Sequence, residues 1–354
     1  MEDKYTNGIL AELSSSEEQL TQTNLNEIRR EISLKASLYS GIGIKILSVT
    51  GGLLAVVSFM AFLFSTGIMQ SGFAMIFLGV LMIIASLALN KAVKHLTFDT
   101  VVISANITGY ILLGMGISKM THSDNLVVMV ILLVATVTIV ISEGYMLNFI
   151  AVLVFNGCLF SFITINDAPY FMFLLTGFLS VIYTSLHLQE AYWIAKSRKL
   201  NVLYNPVRTG FLLSVISYLM ALTTNWLFDG HSFFPVLSSV ILILSCMLVV
   251  YKALKHTGIH STKNRLMIYA LVVLPLLPTL FYPAIAGTVL VILVSFYTGH
   301  RNSTVLGVLA LAYVTFMYYY DLEYTLLAKS IILFVSGLLF LLVWSVFKKQ
   351  VKAV

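Results

Sequence analysis

Long apolar runs, broken at short intervals by basic links, decide what this chain can fold into. Twelve are expected, near residues 44–67, 72–90, 98–118, 125–142, 145–164, 169–187, 207–227, 233–251, 265–282, 283–299, 303–319 and 326–347. A bilayer core about 30 Å thick needs roughly 20 apolar residues per helix, and in lipid only helices or closed barrels satisfy every backbone polar group. Composition agrees: 59% of residues are hydrophobic and 10% charged, against roughly 25% charged in soluble domains, and mean hydropathy is +0.96. The reading is an all-α membrane protein of about twelve transmembrane helices, with the lipid bilayer as its solvent. Where a link is very short, a re-entrant pair is the alternative to two full crossings.

The net charge of +6 reads as topology, because the basic residues lie between spans and no basic domain exists to hold nucleic acid. With residues 1–43 in the cytoplasm, Lys91, Lys94, Lys196, Arg198, Lys199, Arg208, Lys252, Lys255, Lys263, Arg265, Arg301, Lys348, Lys349 and Lys352 all fall on the inner side. Of the 21 basic residues only Lys119 and Lys329 fall outside, as the positive-inside rule requires. Both termini are then cytoplasmic. The first 40 residues are polar, so no cleavable signal is expected and the first span directs insertion. Residues 1–43 form an amphipathic lead-in, with Asn24 and Glu27 spaced as a helix cap. It is either a surface-lying segment held by anionic lipid or a docking arm.

An internal repeat is suggested by matching motifs. Lys91-Ala92-Val93-Lys94-His95 finds Lys252-Ala253-Leu254-Lys255-His256 at an offset of 161 residues, with Ser71 and Phe73 matching Ser232 and Phe234. Val57-Ser58-Phe59-Met60 finds Ile216-Ser217-Tyr218-Leu219 at 159, and Leu175-Thr176-Gly177 finds Val335-Ser336-Gly337 at 160. An offset of six helices gives both copies one orientation, the parallel kind of repeat. The expected organisation is therefore a first six-helix unit over 44–204 and a second over 205–354, the latter ending in a basic cytoplasmic tail.

Polar groups at membrane depth are functional candidates because they are costly to leave unpaired. Asn106 falls within the third span, and Asn148 and Asn156 are spaced to share one face of the fifth. Tyr110, Ser214, Ser217 and Tyr218 add hydroxyls. Asn106, Asn148, Asn156, Ser217 and Tyr218 make the candidate central polar site. The competing reading is interhelical hydrogen bonding, in which such side chains act as glue. Full charges are scarce: Lys45 and Asp99 lie near span ends and Glu143 in a tight link, so a proton relay through a buried carboxylate is disfavoured.

Pro275 and Pro278 interrupt the ninth span, and Pro283 follows. Proline removes a backbone donor and clashes one turn back, and broken helices mark binding sites in some transporters. A simple kink is the alternative. His187 and Glu190, three apart, fall in a segment running to Lys199 that reads as the sixth helix continuing into the interface; two ligands do not make a metal site. Cys158 and Cys246 both lie in apolar spans. No zinc, phosphate-loop or nucleophile-elbow motif is present, so no catalytic residue, metal or cofactor is expected, and the protein is not read as an enzyme.

The most polar stretch between two late spans is Tyr318-Tyr319-Tyr320-Asp321-Leu322-Glu323-Tyr324, with Lys329 beyond it. Tyr318, Tyr320, Asp321, Glu323, Tyr324 and Lys329 form a candidate outer collar, read as an aromatic belt or as a polar mouth for a substrate or partner. This segment, from Phe316 to Ser330 and on to Ser336-Gly337, resembles the closing signature of domain-of-unknown-function family 4401. The resemblance implies a bacterial inner-membrane protein of unknown activity. It also implies a gene neighbour or fusion partner that is another membrane protein, bearing a Gly-Asp-Tyr-x-x-Leu-x-Tyr motif. Family knowledge supplies no catalytic residues. A transporter-like or permease-like protein is the leading functional expectation. The alternative is a non-catalytic membrane scaffold or complex subunit that holds a neighbouring membrane or periplasmic protein through its collar. A lipid-handling enzyme ranks third.

Overall fold

The computed structural model describes residues 42–92, 96–223, 233–256, 262–321 and 334. Among these residues every regular element is helical. Helix α1 (Ile42–Ser65) leads through a 3₁₀ turn (Ile68–Gln70) to α2 (Gly72–Ala92), α3 (Leu96–Thr121), α4 (Asp124–Ile141), α5 (Tyr145–Ile165) and α6 (Tyr170–Leu188). A short α7 (Glu190–Lys196) precedes α8 (Arg198–Ala221), α9 (Phe234–His256), α10 (Thr262–Leu276), a second 3₁₀ turn (Leu277–Phe281), α11 (Pro283–Tyr297) and α12 (Arg301–Asp321). The N-terminal segment, most of the twelfth expected span, and Glu323, Tyr324 and Lys329 of the collar lie outside the described residues.

By length and composition, seven described helices are apolar enough to cross a membrane: α2, α3, α4, α5, α6, α9 and α12. Shorter apolar helices cover Thr50–Ser65, Arg265–Phe281 and Pro283–Tyr297. Two boundaries depart from expectation. The sixth helix does not run on to Lys199: the chain breaks at Gln189 (φ −116°, ψ 24°) and restarts as α7. The seventh span does not start at 207, because α8 begins at Arg198 and carries Pro206 inside it. Its first turn carries Arg198, Lys199 and Asn201, so the helix starts ahead of its main apolar stretch, and the expected boundary at 204/205 falls within it.

Successive helices alternate in direction, as the contacts show. Lys119 at the end of α3 donates to the Met69 carbonyl, 2.9 Å away, and Asn125 and Asn166 pair at that same end. At the opposite end Asn90 meets Ser142 and Lys252 meets the Leu188 carbonyl. These are called below the His122 end and the His300 end.

The closest helix pair is α2 with α3. A Cβ on Gly79 would lie 2.8 Å from the Leu113 nitrogen, and one on Gly116 would lie 2.9 Å from both the Gly72 carbonyl and the Ile76 nitrogen. Gly72 and Gly79 thus stand opposite Gly116 and Gly109, two glycines a heptad apart on each helix. Small residues let helix backbones approach closely in membranes, where packing replaces the hydrophobic effect. The contacts leave the expected repeat unconfirmed: α4–α5 and their counterparts α11–α12 both form close hairpins, whereas α9 and α10, the counterparts of α2 and α3, touch only sparsely. The largest core lies among α6, α8, α9 and α11, where Tyr183, Phe173, Leu219 and Leu242 are fully buried.

Candidate functional site

A charged cluster forms at the His300 end, from five residues on four segments. Glu190 is the first residue of α7, Tyr204 and Arg208 lie two and three turns into α8, His187 is at the end of α6, and His300 sits in the link between α11 and α12. Glu190 Oε1 is 3.7 Å from Arg208 Nη1, and Glu190 Oε2 is 3.3 Å from His300 Nε2. Arg208 also bonds the His300 ring, and its guanidinium carbon stands 5.7 Å from the centre of the Tyr204 ring. These groups are half-buried, where charges interact more strongly than in bulk water.

Deeper in, the polar line continues. His187 Nδ1 bonds the Tyr183 carbonyl at 2.9 Å, and the Tyr183 hydroxyl pairs with Ser295 Oγ at 3.2 Å. Tyr204 donates to the Leu186 carbonyl at 3.3 Å. Burial, reinforced by the Glu190 carboxylate, pushes the Tyr204 phenol above its ordinary value despite the opposing Arg208 charge. It therefore acts as a neutral donor. Outside the cluster, Tyr192 and Trp193 of α7 lie against Lys196, which is 5.5 Å and 5.9 Å from their ring centres, a belt-like arrangement.

The sequence flagged His187 and Glu190 only as a pair. His300 and Arg208 joined them through folding, and no local spacing announces this. Among the described residues no group of three or more His, Cys, Asp or Glu side chains is arranged to hold a metal.

Of the expected central site, the structure joins Asn156 to Tyr218 and gives Asn106 and Asn148 separate partners. Asn106 donates to Ser86 Oγ at 3.0 Å, between α3 and α2. Asn148 donates to the Ser142 carbonyl at 3.1 Å, at the head of its own helix. Asn156 donates to the Val152 carbonyl one turn back, at 2.9 Å, and its own carbonyl accepts the Tyr218 hydroxyl at 2.7 Å. Each of the three asparagines keeps a buried Oδ1 without a hydrogen-bond partner among the described residues. Ser217 is exposed while Ser214 and Tyr218 are buried. The step of one residue rotates a side chain about 100° around the helix, so the buried face of α8 is carried by 214 and 218.

The ninth span is interrupted at its prolines: α10 ends at Leu276, one residue beyond Pro275, and Pro278 lies in the 3₁₀ turn. The Thr279 carbonyl there accepts from Ser239 of α9 at 3.1 Å, and Thr279 Oγ1 donates to Leu276 at 2.7 Å. Of the collar, Tyr318 stacks edge-on against Tyr282 at 4.8 Å, and Tyr320 is 74% exposed. Asp321 closes α12.

A second feature, unforeseen from sequence, is an open cleft of about 930 Å³ between α1, α3, α4 and α5. Its walls are apolar, with Phe64, Met75, Val128, Ile131 and Val154 among them, and Lys119, His122 and Asp124 stand at its His122 end. His122 sits in the left-handed region at φ 50°, just past the end of α3. Non-glycine residues there cost of order 1 kcal/mol. Gly157 and Cys158 line the α5 wall, and a Cβ on Gly157 would meet nothing within 4 Å. A smaller groove of about 590 Å³ between α5 and α6 is almost wholly apolar.

Helices of this length and apolarity, with their polar groups paired between neighbours and their charges gathered at the ends, have the character of a multi-pass membrane protein. The chain matches, over residues 43–350, the family described as Domain of unknown function (DUF4401), and it belongs to that family. Comparison with curated proteins and with solved structures returns no match.

Proposed function

We propose that this protein is a permease-like carrier that takes an amphiphilic small molecule into the cleft between α1, α3, α4 and α5. The cleft itself carries the reading. Its volume of about 930 Å³ falls in the usual range of ligand sites, roughly 300–1,000 Å³, which are mostly apolar with few polar groups. The apolar walls suit a hydrocarbon body, and Lys119, His122 and Asp124 suit a charged or zwitterionic head. In the orientation expected from the basic residues, this mouth faces outward from the bacterial inner membrane.

Gly157 supplies the test, because a side chain there enters the cleft without striking the fold. Full-length protein in nanodiscs should bind a fluorescent lysophospholipid saturably. Gly157→Trp should abolish that binding at an unchanged melting temperature. Absence of saturable binding to the wild type, or binding unaffected by Gly157→Trp, refutes the reading. Uptake of the same probe into proteoliposomes separates a carrier from a mere binder.

A second reading, a complex subunit that holds a neighbouring membrane protein, is favoured by the aromatic end of α12, where Phe316 and Tyr320 are 64% and 74% exposed. A stoichiometric partner in native-membrane purifications, lost on changing Asp321, Glu323 and Lys329 to alanine, would support it.

A further inference from the structure

His300 stands between a cation and an anion. Its Nε2 is 3.3 Å from Glu190 Oε2, Arg208 Nη1 approaches that same nitrogen, and Nη1 is 3.2 Å from Nδ1. One ring nitrogen serves only one of these partners at a time. A bare Nε2 spends its one lone pair on the guanidinium and has no hydrogen to give the carboxylate. A protonated Nε2 donates to the carboxylate and turns like charge toward the guanidinium. The two hydrogen-bond patterns exclude each other, and a single proton selects between them.

The second observation lies behind the first. His187 is 2% exposed. Its Nδ1 faces the Tyr183 carbonyl, an acceptor, so that nitrogen carries the hydrogen. Its Nε2 is then a buried lone pair, and it has no partner. The ring centre is 5.9 Å from that of His300, at an interplanar angle of 74°. A buried acceptor left unmade is costly, and this one is placed to receive a hydrogen bond from the His300 side, through a bridging water. The titratable and charged groups around His300 include His187 and Tyr183 of α6, Glu190 of α7, Tyr204 and Arg208 of α8, and the exposed Arg301 that follows it at the start of α12. On α9, Lys252 is occupied at the Leu188 carbonyl, 3.2 Å away.

We infer that this cluster is a proton-binding site: His300 takes up the proton at Nε2, Glu190 receives its hydrogen bond, Arg208 is displaced, and His187 stands as the inner acceptor. The proton comes from water at the His300 end. One N–H bond forms, no electrons change hands, and release reverses the step. Histidine is the side chain whose charge changes across the physiological range. Uptake would draw α7 and the α11–α12 link together while loosening α8 from both. This inference does not depend on the cleft or its amphiphile.

The test is nuclear magnetic resonance of full-length protein in nanodiscs, with ring-¹⁵N histidine, from about pH 5 to pH 8. The chain has seven histidines, and His300→Gln identifies the relevant signal. The His300 ring should show both forms, a bare Nε2 facing Arg208 and an Nε2–H facing Glu190, while His187 keeps its hydrogen on Nδ1 at the neutral end. Glu190→Gln removes the anion and should move the His300 midpoint to lower pH. Arg208→Gln removes the cation and should move it to higher pH. A His300 ring that does not titrate, or a midpoint that fails to move in the stated sense, overturns the inference. Should Arg208→Gln not fold, the wild-type titration and Glu190→Gln decide it alone.

Discussion

Asn106 and Ser86 form a pair whose value depends on whether both halves are present. The Asn106 amide donates to Ser86 Oγ at 3.0 Å, and both side chains are fully buried. Removing one partner orphans the other at about 1–3 kcal/mol, whereas replacing both by apolar groups of similar shape is nearly neutral. Ser86→Ala alone is therefore expected to lower unfolding stability in detergent by about 1 kcal/mol. Ser86→Ala with Asn106→Leu should recover most of that loss, with a coupling near 0.6 kcal/mol as found between membrane helices. Strict additivity in the double-mutant cycle would show that the two side chains do not interact. Position along the spans made Asn106, Asn148 and Asn156 legible as polar groups at depth. Their partners were not legible, because a hydrogen bond from α3 to α2 leaves no trace in spacing. The same holds for Glu190, whose partner His300 lies 110 residues away.

Helices were the most readable level. Runs of apolar residues fix where a helix must lie in lipid, so the first six spans agree with α1 to α6 within a few residues. What escaped was the break at Gln189, which involves neither glycine nor proline, and the helical continuation of α8 through Pro206. The glycine register of α2 and α3 was in plain sight, at 72 and 79 against 109 and 116, but its meaning requires knowing that these helices are antiparallel neighbours. It leads to a contrast. Gly79→Ala puts a methyl 2.8 Å from the Leu113 nitrogen and should destabilise by about 1–3 kcal/mol, the usual cost of overpacking. Gly51→Ala meets nothing within 4 Å and should stabilise by up to about 1 kcal/mol through its helix preference. Melting temperatures of the two variants in one detergent check this. Equal effects would mean that α2 and α3 are not in close contact.

Across the whole molecule, charge marks direction. Lys91, Lys196, Arg198, Lys199, Arg208, Lys252, Lys255 and Arg301 are at or near the His300 end, and Lys119 is at the other. A reporter fused after Lys199 is expected to read cytoplasmic, and an external signal would invert the orientation. The six-helix offset in the sequence meets a mixed packing, since the α4–α5 and α11–α12 hairpins correspond while the tight α2–α3 contact and the sparse α9–α10 contact do not. Apolar residues are interchangeable enough that matching motifs need not mean matching neighbours.

The wall of the cleft also holds a native reporter. Of the chain's two cysteines, Cys158 lines the cleft and Cys246 is sealed in the core at 0% exposure. Cys158 is itself only 7% exposed, and a small, membrane-permeant thiol reagent is expected to reach it from the cleft before it reaches Cys246. Its labelling rate then works as an occupancy gauge that needs no engineered probe. The rate should fall when a lysophospholipid fills the cleft, and fall further with a tryptophan built in at position 157. Mass spectrometry of the Cys158 and Cys246 peptides would follow the filling of the cleft in the unaltered protein.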